Sequence, residues 1–560
     1  MSAQSDPATA SSPGTGDAAL ARSSALMASG TLVSRLLGFV RTALQVTAIG
    51  GAAQVGAQVF DIANKAPNIF YMLLAGGVLN AVLVPQIVRA FGRPDGGKEY
   101  VDRLVTLALL IMGAATVVIT LAAPLVVRLY TQSWPPEWLA LATAMAFLCL
   151  PQVFFYGLYT VLGQVLNARS SFGPYMWAPV LNNVVAIAGL VAVLVLVPDA
   201  KQLDATEWTS GQIALLAGTS TLGVALQALI LLWPLHRAGF GYRPRFGFRG
   251  MGFRTAGRLA GWTFAGVVAG QLVFLLTSKV MTRAGEALAG TTTTGAEGAS
   301  SASYTAAYLL FMLPHSLVAV SLVTALFTRL SRNAGLGEVA AVRRDFSAGA
   351  RTVLVAALLS SAALLALGPA IADALFGEPA IGPVVVAMAV GLAPFSLTYL
   401  AQRVFYAFED ARTPFVTAVV VAGVMLLADV ALLLFAPPEW TVAGVGAAMS
   451  LSNLVGGVLS LALLRRRLRS LDGHGIDGYR LLRTTVRATI IALLAGGAGY
   501  GVVRLLEPLG EGRAAAVVTM LAGGVVVLAV FLVLCRVMRV RELTDLASPL
   551  LRRVPGLRGR

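Results

Sequence analysis

The sequence predicts an all-α polytopic membrane protein of about fourteen transmembrane helices, arranged as two parallel six-helix lobes related by pseudo-twofold symmetry plus two C-terminal helices. Three observations predict it. Of 560 residues, 57% are hydrophobic and 12% charged, with a mean hydropathy of +0.79, which excludes an ordinary soluble domain. Apolar runs recur, among them Leu104 to Val127, Val184 to Val197, Val353 to Leu367, Val416 to Phe435 and Ala514 to Cys535; with their flanks they reach the roughly 20 residues a helix needs to cross the hydrocarbon core. Pro151, Tyr156, Ala168 and Arg169 recur at one offset, 243 residues on, as Pro394, Tyr399, Ala411 and Arg412.

In chain order, residues 1–24 read as a disordered tail rich in Ala, Ser, Gly and Pro. Spans follow near 25–49, 57–88, 104–127, 138–166, 174–197 and 211–235, which make an N-lobe over 25–236. A basic loop, 237–258, leads to spans near 259–283, 303–328, 349–370, 382–408, 415–436 and 441–464, a C-lobe over 259–464. A second basic loop, 465–484, precedes two spans within 485–537, and a basic tail, 538–560, ends the chain. The first span is expected to serve as an uncleaved targeting signal. Pro67, Pro85 and Pro179 lie inside spans and mark expected kinks or breaks.

The repeat extends to Leu83, Arg89 and Gly92, which the same offset carries onto Leu326, Arg332 and Gly335. Six spans separate the copies. An even number leaves both halves in the same orientation, so their symmetry axis runs along the membrane normal and a cavity lies between them.

The formal charge of +16 is distributed in alternate loops. That pattern places both termini in the cytoplasm by the positive-inside rule. It assigns the basic clusters to anionic membrane lipids and leaves no call for nucleic acid. Cys149 and Cys535 lie far apart in spans and read as core residues. His236, His315 and His474 have no metal-ligand spacing, so no metal site is expected; His315, after Pro314, reads as a packed histidine. The glycines of 239–250 follow no strand, which excludes a nucleotide loop.

Charges within spans are costly, by about 2.5–3.5 kcal/mol at a helix centre, and mark function by default. Here they are Arg35 and Arg41 in the first span, Asp61 and Lys65 in the second, Lys279 and Arg283 in the seventh, and Arg403 in the tenth. Asp61 and Lys65 stand four apart and pair on one helix face, leaving Arg35, Arg41 and Lys279 for an anionic ligand. The competing account has Arg41 and Arg283 reaching an interface and Lys279 in a water-filled crevice. Asp429, in mid-span, reads equally as a cation or proton site and as a structural hydrogen-bonding group.

The segment Ser34-Arg35-Leu36-Leu37-Gly38-Phe39-Val40-Arg41 resembles the opening signature of the MurJ/MviN family. Lys65-Ala66-Pro67-Asn68 with Gly77 and Val84-Pro85 resembles its second span, and Pro174, Ala178-Pro179 and Asn182-Asn183 its fifth. Phe405-Tyr406-Ala407 with Asp410-Ala411-Arg412-Thr413-Pro414 resembles its tenth-to-eleventh junction. The resemblance implies a flippase for the lipid-linked peptidoglycan precursor, lipid II, an undecaprenyl-pyrophosphate carrying a disaccharide-pentapeptide. It implies a cationic cavity containing Arg35, Arg41 and Lys65, a bacterial cytoplasmic membrane, and peptidoglycan biosynthesis and cell shape as its setting, with cell-wall synthesis proteins as partners. Pro67, Gly77 and Pro179 would be hinge positions. No cofactor is expected beyond a coupling ion, sodium or proton, and the membrane potential. The chain departs from the family at Gln58, Tyr71, Gly76 and Leu309, where the family carries Asp, Arg, Glu and Arg. A flippase for another polyprenyl-linked glycan, a multidrug or small-solute antiporter, and a non-transporting scaffold remain alternatives.

Overall fold

A computed structural model of the chain describes residues 14–51, 54–74, 98–169, 171–247, 257–288, 298–510, 512–540 and 542. Among these residues all regular structure is helical, as hydrocarbon requires of a chain whose backbone groups must be satisfied within each segment.

The N-lobe comprises α1 (Gly14–Ile49), α2 (Val55–Leu74), α3 (Lys98–Leu121), α4 (Ala123–Tyr130), α5 (Pro136–Cys149), α6 (Gln152–Ala168) and α7 (Phe172–Leu196). It closes with α8, built from Ser210–Ile213, a π-helical turn Ala214–Gly218 and Thr219–Leu229, and with α9 (Leu232–Arg237). The C-lobe comprises α10 (Gly257–Leu288) and α11, built from Ser301–Pro314, a π-helical turn His315–Val320 and Ser321–Gly335. It continues through α12 (Val339–Phe376), α13 (Ile381–Ala389), α14 (Leu392–Ala407), α15 (Arg412–Phe435) and α16 (Pro438–Asp472). The last pair, α17 (Gly478–Leu506) and α18 (Arg513–Val537), packs on α12 through Ala362, Leu367, Ile491, Val527 and Phe531.

Among the described residues twelve helices are long and apolar enough to cross a membrane, and α13 with α14 supplies a thirteenth, bent by 52°. The remaining expected span, 57–88, is α2 for its described part, and the rest of it, with Gly76, Gly77, Pro85 and the repeat residues Leu83, Arg89 and Gly92, lies outside the described residues. Two sequence readings change. Residues 14–24, read as tail, already belong to α1, where Ala18, Ala19 and Ala21 favour helix. Pro67 and Pro179 sit inside α2 and α8-facing α7 without interrupting either helix; the chain breaks instead at Leu150–Pro151, at the repeated Pro151, and at Val390–Gly391, with the repeated Pro394 in the first turn of α14 just beyond.

The second break is seated by small residues. Gly391 comes so close to α16 that an added Cβ would lie 2.8 Å from the Ser450 Cα, and its N–H donates to Ser450 Oγ at 3.0 Å. Backbones approach this closely in membranes only where side chains are small. Large apolar side chains on α7, α15 and α18, such as Val195, Leu427, Phe435 and Val525, point outward, as lipid-facing surfaces do.

The lobes meet at the end opposite the basic loops. There Val46 of α1 joins the C-lobe core and Ala302 of α11 joins an N-lobe core. Ser278 Oγ donates to Tyr130 O at 2.8 Å, Trp134 Nε1 to Thr282 O at 3.3 Å, Gln58 Nε2 to Gly285 O at 3.2 Å, and Ser303 Oγ to Gly51 O. Lys201 Nζ stands 3.7 Å from Glu378 Oε1 across the same seam.

Candidate functional site

Helix α1 is pinned before its arginines are placed. Asn183 of α7 donates to Ser34 O at 2.8 Å, and Gly30 lets the Trp177 indole approach to within 2.7 Å of where a Cβ would sit. The fifth-span Asn182-Asn183 motif therefore contributes to holding the Ser34-Arg35 segment.

Arg35 and Arg41 are half-buried on α1. Arg41 lies within electrostatic reach of Tyr156 in the N-lobe, and Arg35 within reach of Tyr399 and His315 in the C-lobe. Tyr156 and Tyr399 are the repeat-related pair, so each arginine of this helix has the equivalent tyrosine of one lobe within electrostatic reach. Each tyrosine sits in its own polar and aromatic setting. Tyr156 packs against Tyr71 with ring centroids 5.4 Å apart, and Tyr71 hydrogen-bonds Thr160 at 2.6 Å. Tyr399 accepts from Arg403 Nη2 at 2.9 Å and meets His315 edge-on at 5.3 Å, while His315 Nδ1 lies 2.9 Å from Ser396 Oγ. The Arg403 guanidinium is further surrounded by Phe327 and Tyr406 at 5.7 and 6.0 Å.

Asp61 and Lys65 pair as expected, at 2.7 Å, and Asp61 also accepts from Thr305 Oγ1 at 2.8 Å. That second bond crosses between lobes. Among the described residues Arg35, Arg41, Lys279, Arg283 and Arg403 form no salt bridge.

A chamber of about 710 Å³ opens beside Lys65, bounded otherwise mostly by α10, α11, α14, α15 and α16. Lys65 lines it, whereas Arg35, Arg41, Lys279 and Arg283 do not. Lys279 and Arg283 sit toward the closed end of α10, Arg283 exposed and near Glu286. Asp429 is fully buried behind the chamber wall: Thr277 Oγ1 donates to its Oδ2, and Oδ1 has no hydrogen-bond partner. No group of three or more His, Cys, Asp or Glu suited to a metal occurs among the described residues.

Sequence reasoning missed the tyrosine assignment, whereas His315, read as a packed histidine, is buried against Phe395 and Tyr399. The repeat signalled Tyr156 and Tyr399, but only the fold brings one within electrostatic reach of each α1 arginine. Of the departures from the family pattern, Gln58 serves the interlobe bond to Gly285, Tyr71 bonds Thr160, and Leu309 is half-buried on α11.

Two six-span lobes of the same orientation around a seam closed at one end define a polytopic membrane transporter fold. The family model "Lipid II flippase MurJ" matches residues 47–515, and the chain belongs to that family. Among curated relatives, a probable lipid II flippase MurJ of Rhizobium tropici is 26% identical, covering 86% of each chain, and a lipid II flippase MurJ of Burkholderia cenocepacia is 28% identical over 78% of this chain and 82% of its own. Among solved structures, lipid II flippase MurJ in an inward closed conformation superposes with a TM-score of 0.67 at 16% identity, covering 92% of this chain and 99% of that one. An inward-facing multidrug resistance MATE transporter superposes with 0.63 at 14%, covering 78% and 96%. These two likenesses speak to the fold.

Proposed function

We propose that this protein is a transporter that moves lipid II from the inner to the outer leaflet of the bacterial cytoplasmic membrane by alternating access. The observation that carries the reading is the arginine pair of α1, each within electrostatic reach of a repeat-related tyrosine and neither held by a carboxylate, in a chain of this family. Guanidinium forks suit the oxygens of a pyrophosphate, and such contacts strengthen away from bulk water. Binding the anion would offset the mutual repulsion and desolvation of the arginines when the lobes close over them.

Alternate basic loops argue for cytoplasmic termini. The seam sealed by Ser278, Trp134 and Lys201 then faces outward, so the state described here is closed at its outer end. The basic loops rest on anionic headgroups, and cell-wall synthesis proteins are the natural cytoplasmic partners. An inside-negative potential favours outward movement of the anion by about 2.3 kcal/mol per charge per 100 mV if the whole field is crossed.

We assign coupling, by sodium or proton, to Asp429. A buried carboxylate with one oxygen unpartnered is costly as a bare charge, so it favours taking up a cation or a proton.

The test is the fraction of lipid II open to an impermeant outer-face cleaving enzyme in cells depleted of this protein and resupplied with wild type or Arg35→Ala. The reading requires exposure to fall on depletion and to return with wild type alone. Unchanged exposure, with no second flippase present, would turn the assignment toward another polyprenyl-linked cargo or a scaffold.

A further inference from the structure

The chamber beside Lys65 differs in chemistry from the arginine pair. Its wall carries a run of stacked rings, with Tyr304 and Tyr308 at 6.3 Å and 7° and Tyr308 and Phe311 at 6.0 Å and 23°. Tyr308 is 39% exposed and lines the chamber. Around the rings stand the side-chain amides of Gln271, Gln402 and Asn453, none with a hydrogen-bond partner among the described residues. Gln271 Oε1 is buried and still unsatisfied. Buried amide oxygens in native proteins nearly always have partners, so an orphan lining a cavity points to a ligand donor. Lys65, the cation on the wall, is already committed to Asp61.

From this we infer that the C-lobe chamber is a glycan subsite, which takes one or two pyranose rings of the lipid-linked substrate against Tyr308 and the Gln271, Gln402 and Asn453 amides. The inference rests on the flippase reading and adds to it a place for the sugar separate from the anion site. Aromatic faces take the apolar C–H face of a pyranose, and neutral amides both donate to and accept from its hydroxyl and acetamido groups. The volume, about 710 Å³, lies within the range of about 300–1,000 Å³ that small-molecule sites occupy.

Two other occupants fit less well. A lipophilic cation lacks a counter-charge: among the described residues no carboxylate lines the chamber, Asp61 is held by Lys65 and Thr305, and Asp429 is fully buried. A polyprenyl tail would leave the amides stripped of water and without partners, which is costly.

Binding of undecaprenyl pyrophosphate, with and without its disaccharide, to the full-length protein in lipid nanodiscs tests the inference. Wild type is expected to prefer the glycan-bearing lipid. Gln271→Leu and Tyr308→Ala are each expected to cut that preference about tenfold, as loss of one or two ligand contacts does, while leaving affinity for the bare pyrophosphate lipid unchanged. Gly270→Phe supplies an independent variant, because Gly270 lines the chamber and a Cβ there meets nothing within 4 Å; it is expected to abolish the preference at an unaltered melting temperature. A preference that survives all three variants overturns the glycan subsite, as does displacement of the sugar-bearing lipid by tetraphenylphosphonium, which would mark a cation site. Failure of wild type to bind either lipid would instead overturn the flippase reading beneath it.

Discussion

Arg35 and Arg41 are six residues apart on one helix, yet they address different lobes. Arg35→Ala removes a charge-assisted hydrogen-bonding group, a class of interaction that contributes about 1.5–3 kcal/mol. Affinity for the pyrophosphate lipid is therefore expected to fall ten- to hundredfold, measured by nanodisc binding, with Arg35→Lys intermediate because the charge remains and the fork is lost. Asp429 calls for a different measurement. Asp429→Asn keeps the shape and the bond from Thr277 but removes the charge. Lipid II binding is expected to persist, while transport by reconstituted protein stops responding to an imposed sodium or proton gradient. A variant that responds as wild type does would rule Asp429 out as the coupling site. Charge in an apolar run was enough to find these residues in the sequence. It also selected Lys279 and Arg283, because a span's sequence carries no information about its depth relative to the closed seam.

Elements were legible wherever hydropathy sets them. The boundaries of α7, α15 and α18 follow apolar runs directly, and the C-terminal pair was visible as two spans beyond the repeat. Breaks were harder to see, since proline alone does not locate them. Pro67 and Pro179 stay within helices, while Val390–Gly391 separates α13 from α14 because Gly391 and Gly457 let α16 press against that corner. The chamber was not legible at all, because its aromatic and amide lining is contributed by helices far apart in sequence. The packing of the corner gives a direct prediction. A Cβ at Gly457 would lie 2.9 Å from the Pro394 Cβ, so Gly457→Leu overpacks the corner. The expected loss is about 1–3 kcal/mol, read as a lowered melting temperature in detergent, whereas Gly270→Leu, with open space around it, leaves melting unchanged.

For the whole molecule, alternating access requires the closed seam to be breakable, and Lys201–Glu378 is its charged element. Glu378 lies between α12 and α13, outside the spans. Burial raises its carboxyl above the usual range; Lys201 and the Gly51 N–H oppose that rise, and Asp373 adds to it. In the opened state the same carboxyl is solvated and titrates at an ordinary value. A group whose affinity for protons is higher in the closed state favours closure when protonated. That contribution is fully present below the ordinary carboxylate pKa and is lost as pH rises through the raised one. Acidification within that window is therefore expected to populate the closed seam despite weakening the ion pair, because the desolvation of the charged carboxylate outweighs what Lys201 returns. Glu378→Gln is expected to hold the seam closed at all pH values. Spin labels placed across this end, on the loops after α7 and α12, report the distance: wild type shortens as pH falls through the window, and the variant stays short throughout. Wild type that lengthens on acidification would mean that the ion pair, and not desolvation, governs the seam.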